Sequence, residues 1–265
     1  MDTWFSAVIM GIVEGLTEFL PVSSTGHLIL AGHALGFTGE KAATFEVVIQ
    51  LGAILAVVVL YRRRFAGLII PEQGQKFSGL RGLYLLFLTS LPAGLLGLAT
   101  HKTIKTHLFN PMTVAWALGV GAVAILIVEG LRRRTRFWSL DEITPALALG
   151  IGVFQCLSLW PGFSRSAATI MGGMLLGAER KLAAEYSFIA AVPIMFAATG
   201  YDMYQNFGLF SANDLPFLII GFGVSFFSAW AAVKGFIHLL GKITLRPFAY
   251  YRLALAPLVL LFWSV

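Results

Sequence analysis

Glu14 and Glu18 stand four residues apart in the stretch EGLTEFLPVSSTGH, residues 14–27. On a helix that spacing puts both carboxylates on one face. Apolar residues surround them, and at low dielectric two facing carboxylates repel unless a cation joins them or one is protonated. The pair therefore predicts a site for Mg²⁺ or Ca²⁺, hard ions that prefer oxygen, or an acid/base pair. The plain alternative is a Glu that caps a helix or snorkels to the interface. Pro21 then breaks the helix, and Ser23, Ser24 and Thr25 can cap the next one. His27 adds a base beside hydroxyls and carboxylates, which are the parts of an activated nucleophile.

The stretch PGFSRSAAT, residues 161–169, carries the complementary charge. An arginine at membrane depth is unfavourable, and arginine grips phosphate through two parallel hydrogen bonds. Arg165 lies between Ser164 and Ser166, with Thr169 one turn on, where a helix is expected to begin. A helix start with hydroxyls, free backbone N–H groups and an arginine binds anions. The plain alternative is an arginine that only neutralises a glutamate. Both can hold, since a cation, carboxylates and an arginine together cradle a phosphate ester.

These residues need a scaffold, and composition identifies its solvent. The chain has 265 residues, 58% hydrophobic and only 12% charged, about half the charge of a soluble domain. It is an all-α integral membrane protein by this measure. Six stretches are predicted to span: about 43–60, 83–99, 112–130, 186–203, 215–233 and 248–264. Regions 4–36 and 145–178 are apolar but broken in the middle, with halves too short to cross. They predict two re-entrant helical hairpins. No basic leader precedes an apolar core at the N-terminus, so no cleaved signal peptide is expected. The net charge of +6 sits in short loops, where it reads as an orientation signal, so nucleic acid is not an expected partner. Cys156 is the only cysteine, which excludes an intramolecular disulfide.

Loop charges set the orientation. Arg62, Arg63, Arg64, Lys76 and Arg81 occupy 61–82, and Arg132, Arg133, Arg134 and Arg136 occupy 131–144. Arg180 with Lys181, and Lys234, Lys242 and Arg246, mark two more basic loops, while 204–214 has no Lys or Arg. The four basic loops are expected in the cytoplasm. Only a hairpin that re-enters at 145–178 keeps Arg180 and Lys181 on that side. The first hairpin and both termini then lie outside.

Displacing the chain by 141 residues without gaps lays GIVEGLTEFLPVSSTG over GVFQCLSLWPGFSRSA, with Gly11 on Gly152 and Ser23 on Ser164. Each unit would be one hairpin plus three spans, about 1–135 and about 140–265. Three is odd, so the second unit is inverted, and the site is expected where the hairpin tips meet. Glu46, Gln50 and Glu185 are expected to support the hairpins. Gly94, Gly97, Gly119 and Gly121 are expected to serve close helix packing.

EGLTEFLPVSSTGH and PGFSRSAAT, with TFEVVIQLGAILAVVV at 44–59 and AVPIM at 191–195, resemble the undecaprenyl pyrophosphate phosphatases of bacterial inner membranes, the bacitracin-resistance type. The similarity covers nearly the whole chain. The family commonly has Gly after Ser-Arg-Ser, and this chain has Ala167, also small. The resemblance implies hydrolysis of undecaprenyl pyrophosphate to undecaprenyl phosphate and inorganic phosphate, which recycles the carrier of cell-wall precursors. It implies a divalent cation, and its functional positions fall on Glu14, Glu18, Ser23, Ser24, His27, Ser164, Arg165, Ser166 and Thr169.

The expected roles divide accordingly. Glu14 and Glu18 hold metal. Arg165 with Ser23, Thr25, Ser164, Ser166 and Thr169 holds phosphate. Ser24 is the nucleophile, with His27 or Glu18 as base; His27 attacking directly, or activating a water, stays open. Expected partners are the polyprenyl pyrophosphate, membrane lipid and, as one option, a second copy in a homodimer. The site is expected to open to the periplasmic side. The rival reading is a secondary transporter or flippase for an anionic lipid, since inverted repeats with broken hairpins are common there.

Overall fold

The computed structural model describes residues 3–71, 73–131, 134–205 and 214–263. Arg132 and Arg133, counted above among the loop charges, and most of the loop 204–214 lie outside the described residues.

The apolar pattern resolves into helices. The first broken region is α1 (Thr3–Thr17) and α2 (Ser24–Leu35), joined by a turn. At about 1.5 Å per residue neither reaches across a hydrocarbon core of about 30 Å. Gly36, in left-handed conformation at φ 64°, ends α2, and the Phe37 N–H returns to the Gly32 carbonyl at 2.8 Å. The second broken region is α7 (Pro145–Gln155), a 3₁₀ turn at Cys156–Leu159, and α8 (Arg165–Leu175). Pro145 at the first helical position and the Thr144 hydroxyl accepting from the Leu147 N–H start α7.

The six stretches expected to span are all helical: α3 (Glu40–Leu60), α5 (Gly79–Thr103), α6 (Pro111–Gly130), α9 (Arg180–Gln205), α10 (Leu215–Leu240) and α11 (Arg246–Trp263). The first five are long and apolar enough to cross a membrane. The sixth has 18 residues and carries Arg246 and Arg252, which lower its apolarity. The loop 61–82 contains a short helix, α4 (Arg62–Ile69). It carries Arg62, Arg63 and Arg64 in its first turn and buries Gly67 and Leu68 further on. A single amphipathic turn or two between charged residues is too short to stand out from a loop by pattern alone.

The helices pair in exchanged couples. Helix α1 packs on α10 while α7 packs on α5; α2 packs on α11 while α8 packs on α6. Each pair of short helices thus packs on long helices from the other half of the sequence. Close approach is set by small residues, though not all those expected. A Cβ on Gly11 would lie 2.7 Å from the Gly221 carbonyl, and one on Gly15 2.4 Å from the Ser225 carbonyl, so α1 touches α10 backbone to backbone. Gly94 and Gly119 have nothing within 4 Å, so they serve no close packing among the described residues. Helical spacing of glycines shows a smooth stripe but not whether another helix covers it.

Candidate active site

The two turns between half-helices meet. At the first, the Val22 N–H closes on the Leu20 carbonyl at 2.8 Å around Pro21. Ser23 follows at φ 72°, and its hydroxyl caps α2 through the Gly26 N–H at 3.4 Å. At the second, Trp-Pro-Gly-Phe forms a tight turn, with the Phe163 N–H on the Trp160 carbonyl at 3.0 Å and Gly162 at φ 96°. Gly is required at that φ and by space, since a Cβ would lie 2.6 Å from the Val114 carbonyl. Ser164 follows at φ 77° and caps α8 through the Ala167 N–H at 3.3 Å. Ser23 and Ser164 are the only non-glycine residues with positive φ among the described residues. The serines paired by the 141-residue displacement therefore share one strained conformation, of the sort that persists where the surroundings over-determine it. Ala167 lies buried in the first turn of α8, where a helical backbone suits alanine.

Polar contacts lock the tips together. The Ser166 hydroxyl donates to the Leu20 carbonyl at 2.8 Å. Arg165 Nη2 meets Glu18 Oε1 at 3.4 Å, with the side chains only 11% and 7% exposed. Its Nη1 donates to the Ser187 carbonyl at 3.1 Å, and the guanidinium sits 5.4 Å from the centre of the Phe19 ring. Its Nε has no partner. The Ser24 hydroxyl donates to the other Glu18 oxygen, Oε2, at 2.6 Å. One carboxylate therefore bridges an arginine and a serine. A cavity of about 300 Å³ opens here, lined by Glu18, Ser24, Thr25, Ser164 and Arg165 among others.

Not every expected residue faces that cavity. Thr169 lies behind Arg165, bonded to the Ser187 hydroxyl at 2.6 Å. His27 turns toward α11: its Nδ1–H donates to the Ser23 carbonyl at 2.7 Å, and Nε2 accepts from the Tyr251 hydroxyl at 2.7 Å. The hydrogen bond of Ser24 goes to Glu18, not to His27. Glu14 is 1% exposed, and neither of its carboxylate oxygens has a hydrogen-bond partner. An orphaned buried carboxylate calls for a cation or a proton. Among the described residues no three His, Cys, Asp or Glu side chains come together. A closed all-protein metal cage is therefore not formed. The donor set fits a hard cation that takes most of its oxygens from phosphate and water, as Mg²⁺ commonly does.

Arg252 was not singled out by pattern, though an arginine inside an apolar span was a usable signal. It is fully buried. Its five N–H groups reach five carbonyls: Leu118 at 3.2 Å, Pro21 at 3.4 Å, Phe163 at 2.8 Å, Ala117 at 3.1 Å and Gly162 at 3.2 Å. It thereby ties both tips to α6. Gly121 makes room for it, since a Cβ there would lie 2.1 Å from Nη2. Gly121→Ala is expected to lower stability by about 1–3 kcal/mol, seen as a fall in Tm in detergent. An unchanged Tm would mean that the clamp tolerates displacement. Tyr251 and Ser187 carried no sequence signal, because aromatic and small hydroxyl residues are ordinary in such helices.

Paired half-helices whose polar tips meet inside a bundle of membrane-length helices define a multi-pass membrane protein with a polar cavity, lined by an arginine, a glutamate and serines, in its interior. The profile of the family described as "Bacitracin resistance protein BacA" matches residues 7–258. A protein of Maridesulfovibrio salexigens named undecaprenyl-diphosphatase is 76% identical over 264 residues, covering 100% of both chains. Proteins of the same name from Oleidesulfovibrio alaskensis (68%, 100% of both chains) and Lawsonia intracellularis (61%, 98% of this chain and 99% of the relative) are similar throughout. The chain belongs to the bacitracin resistance protein BacA family.

Proposed function

We propose that this chain is an undecaprenyl-diphosphatase of the bacterial plasma membrane, which hydrolyses undecaprenyl pyrophosphate to undecaprenyl phosphate and inorganic phosphate. The observation that carries the mechanism is the 2.6 Å hydrogen bond from Ser24 to Glu18, beside an arginine with an unpartnered Nε. Ser24 attacks the terminal phosphorus as Glu18 takes its proton, and the bond to the leaving undecaprenyl phosphate breaks. That leaving group departs as a phosphate monoester anion and needs no acid. Arg165, with the N-termini of α2 and α8, holds the equatorial oxygens as charge shifts across them. Water then releases phosphate from Ser24. His27 positions the α2 start through the Ser23 carbonyl. Glu14, with Glu18, is the place for the divalent cation, which when bound neutralises charge on the pyrophosphate.

In this reading α3, α5, α6, α9, α10 and α11 span the membrane, and the two hairpins re-enter from opposite faces as halves of an inverted-topology repeat. The exchanged helix pairing and the matched Ser23 and Ser164 conformations support it. Loop charge favours a site open to the outer side.

The test is phosphate release from a long-chain prenyl pyrophosphate by purified protein with Mg²⁺, with Ca²⁺ and with chelator. Metal-dependent release is expected, and it is expected to fall at least about a hundredfold in Glu18→Gln, which cannot take the serine proton. Folded protein that binds the lipid but releases nothing with any metal would leave the transporter or flippase reading standing. Full activity in Ser24→Ala would exclude Ser24 as nucleophile.

A further inference from the structure

The 141-residue displacement places Gln155 under Glu14, and Gln155 ends α7 as Glu14 approaches the end of α1. Gln155 is 1% exposed yet forms part of the wall of the cavity that holds Glu18, Ser24 and Arg165. Its Nε2 donates to the Thr89 carbonyl at 3.2 Å. Helix α5 is brought within reach because residue 152 is glycine, where a Cβ would lie 2.5 Å from that same carbonyl. The contact fixes the amide orientation, since the flipped form would set oxygen against oxygen. Oε1 is thereby committed as an acceptor, and it has no partner. An unsatisfied buried acceptor is unfavourable, and this one belongs to a residue in the wall of the cavity that Glu18, Ser24 and Arg165 also line. The phosphate oxygens of the substrate are themselves acceptors and do not satisfy it. The second substrate of a hydrolysis, water, is a donor.

We propose that Gln155 is a catalytic residue that holds the hydrolytic water through Oε1. This rests on the phosphatase reading with Ser24 as nucleophile. In the second half-reaction the water oxygen bonds to the phosphorus of phospho-Ser24 while one of its O–H groups points to Gln155. The bond from phosphorus to Ser24 Oγ breaks, its electron pair goes to Oγ, and protonated Glu18 returns its proton there. Both water protons leave on the phosphate as H₂PO₄⁻, and Glu18 is again a carboxylate. A glutamine that orients the attacking water has precedent in phosphoryl transfer. Here Gln155 would do so from the half of the chain opposite the nucleophile.

The test is rapid-quench kinetics on wild type, Gln155→Leu and Gln155→Glu, with prenyl pyrophosphate as substrate. In Gln155→Leu the first-turnover burst of prenyl phosphate is expected to keep its rate. Steady-state phosphate release is expected to fall about 10- to 100-fold, with apparent KM falling alongside kcat as phospho-enzyme accumulates. Gln155→Glu keeps an oxygen and is expected to recover part of the second step. An unchanged steady-state rate in Gln155→Leu would overturn the proposal. So would equal losses in burst and steady state, which is the pattern of a packing role, and Gln155→Glu applies the same criterion if the Leu variant is unstable. Wild type that hydrolyses substrate without phospho-Ser24 would remove the Ser24 reading itself and this proposal with it. Wild type without hydrolysis would remove the phosphatase reading.

Discussion

Arg165→Lys is expected to lower kcat by about a thousandfold or more while leaving the protein folded. Lysine keeps the positive charge beside Glu18, so the ion pair that makes both groups tolerable at depth survives in part. What lysine lacks is the planar fork. In the native site Nη1 is held by Ser187, Nη2 faces Glu18, and Nε is unpartnered. The guanidinium is thus anchored at one end with a donor in reserve, on a Phe19 face that limits its rotation. Such a group gives its strongest hydrogen bonds only when the phosphoryl oxygens take up transition-state charge. Arginines placed in this way contribute about 10³ to 10⁵ in rate. Phosphate release measured beside thermal unfolding distinguishes the two effects. A lysine variant with near-native kcat would show that charge alone suffices and would sink the clamp.

Arg252→Met is the second large effect, and it acts on stability first. Methionine resembles the arginine stem in length and apolarity, but it removes all five hydrogen bonds that the guanidinium donates at the junction of α6 with the two tips. Interhelical hydrogen bonds in membrane proteins contribute about 0.6 kcal/mol each on average and at most about 1.7 kcal/mol. Five together come to about 3 kcal/mol or more by that measure. A large fall in Tm is expected, together with lost turnover per folded molecule, because the Pro21, Gly162 and Phe163 carbonyls fix where Ser24 and Arg165 begin their helices. Arg252→Lys is expected to rescue little, since three donors on a point charge cannot reach five carbonyls. A Met variant with native Tm and turnover would mean that the tips hold each other without it.

Much of this architecture was legible because the membrane forces it to be. A span must be an uninterrupted apolar helix, so α3, α5, α6, α9 and α10 stand out by length and composition, and the breaks at Pro21 and Pro161 stand out against them. Polar residues at depth are unfavourable without a reason, which is why Glu14, Glu18, Ser24 and Arg165 drew attention one by one. The same logic extended to Arg252, which the pattern of a spanning segment concealed, and to Gln155, which the displaced copy of Glu14 marked. Helix α4 was not legible, because eight residues carry too little periodicity.

Residue types and spacing by themselves determined a helical membrane protein with two polar breaks, an acidic pair in one and an arginine among hydroxyls in the other. Only the tertiary structure decided which partner each group takes. Ser24 bonds Glu18 while His27 bonds Tyr251, because α2 turns one toward the cavity and the other toward α11. Arg165 meets Glu18 across 147 positions of sequence, and Arg252 gathers carbonyls from three separate segments. Hydrogen bonds between distant segments depend on side-chain direction at the ångström scale. Periodicity records which face of a helix a residue occupies, but not which atom lies opposite it.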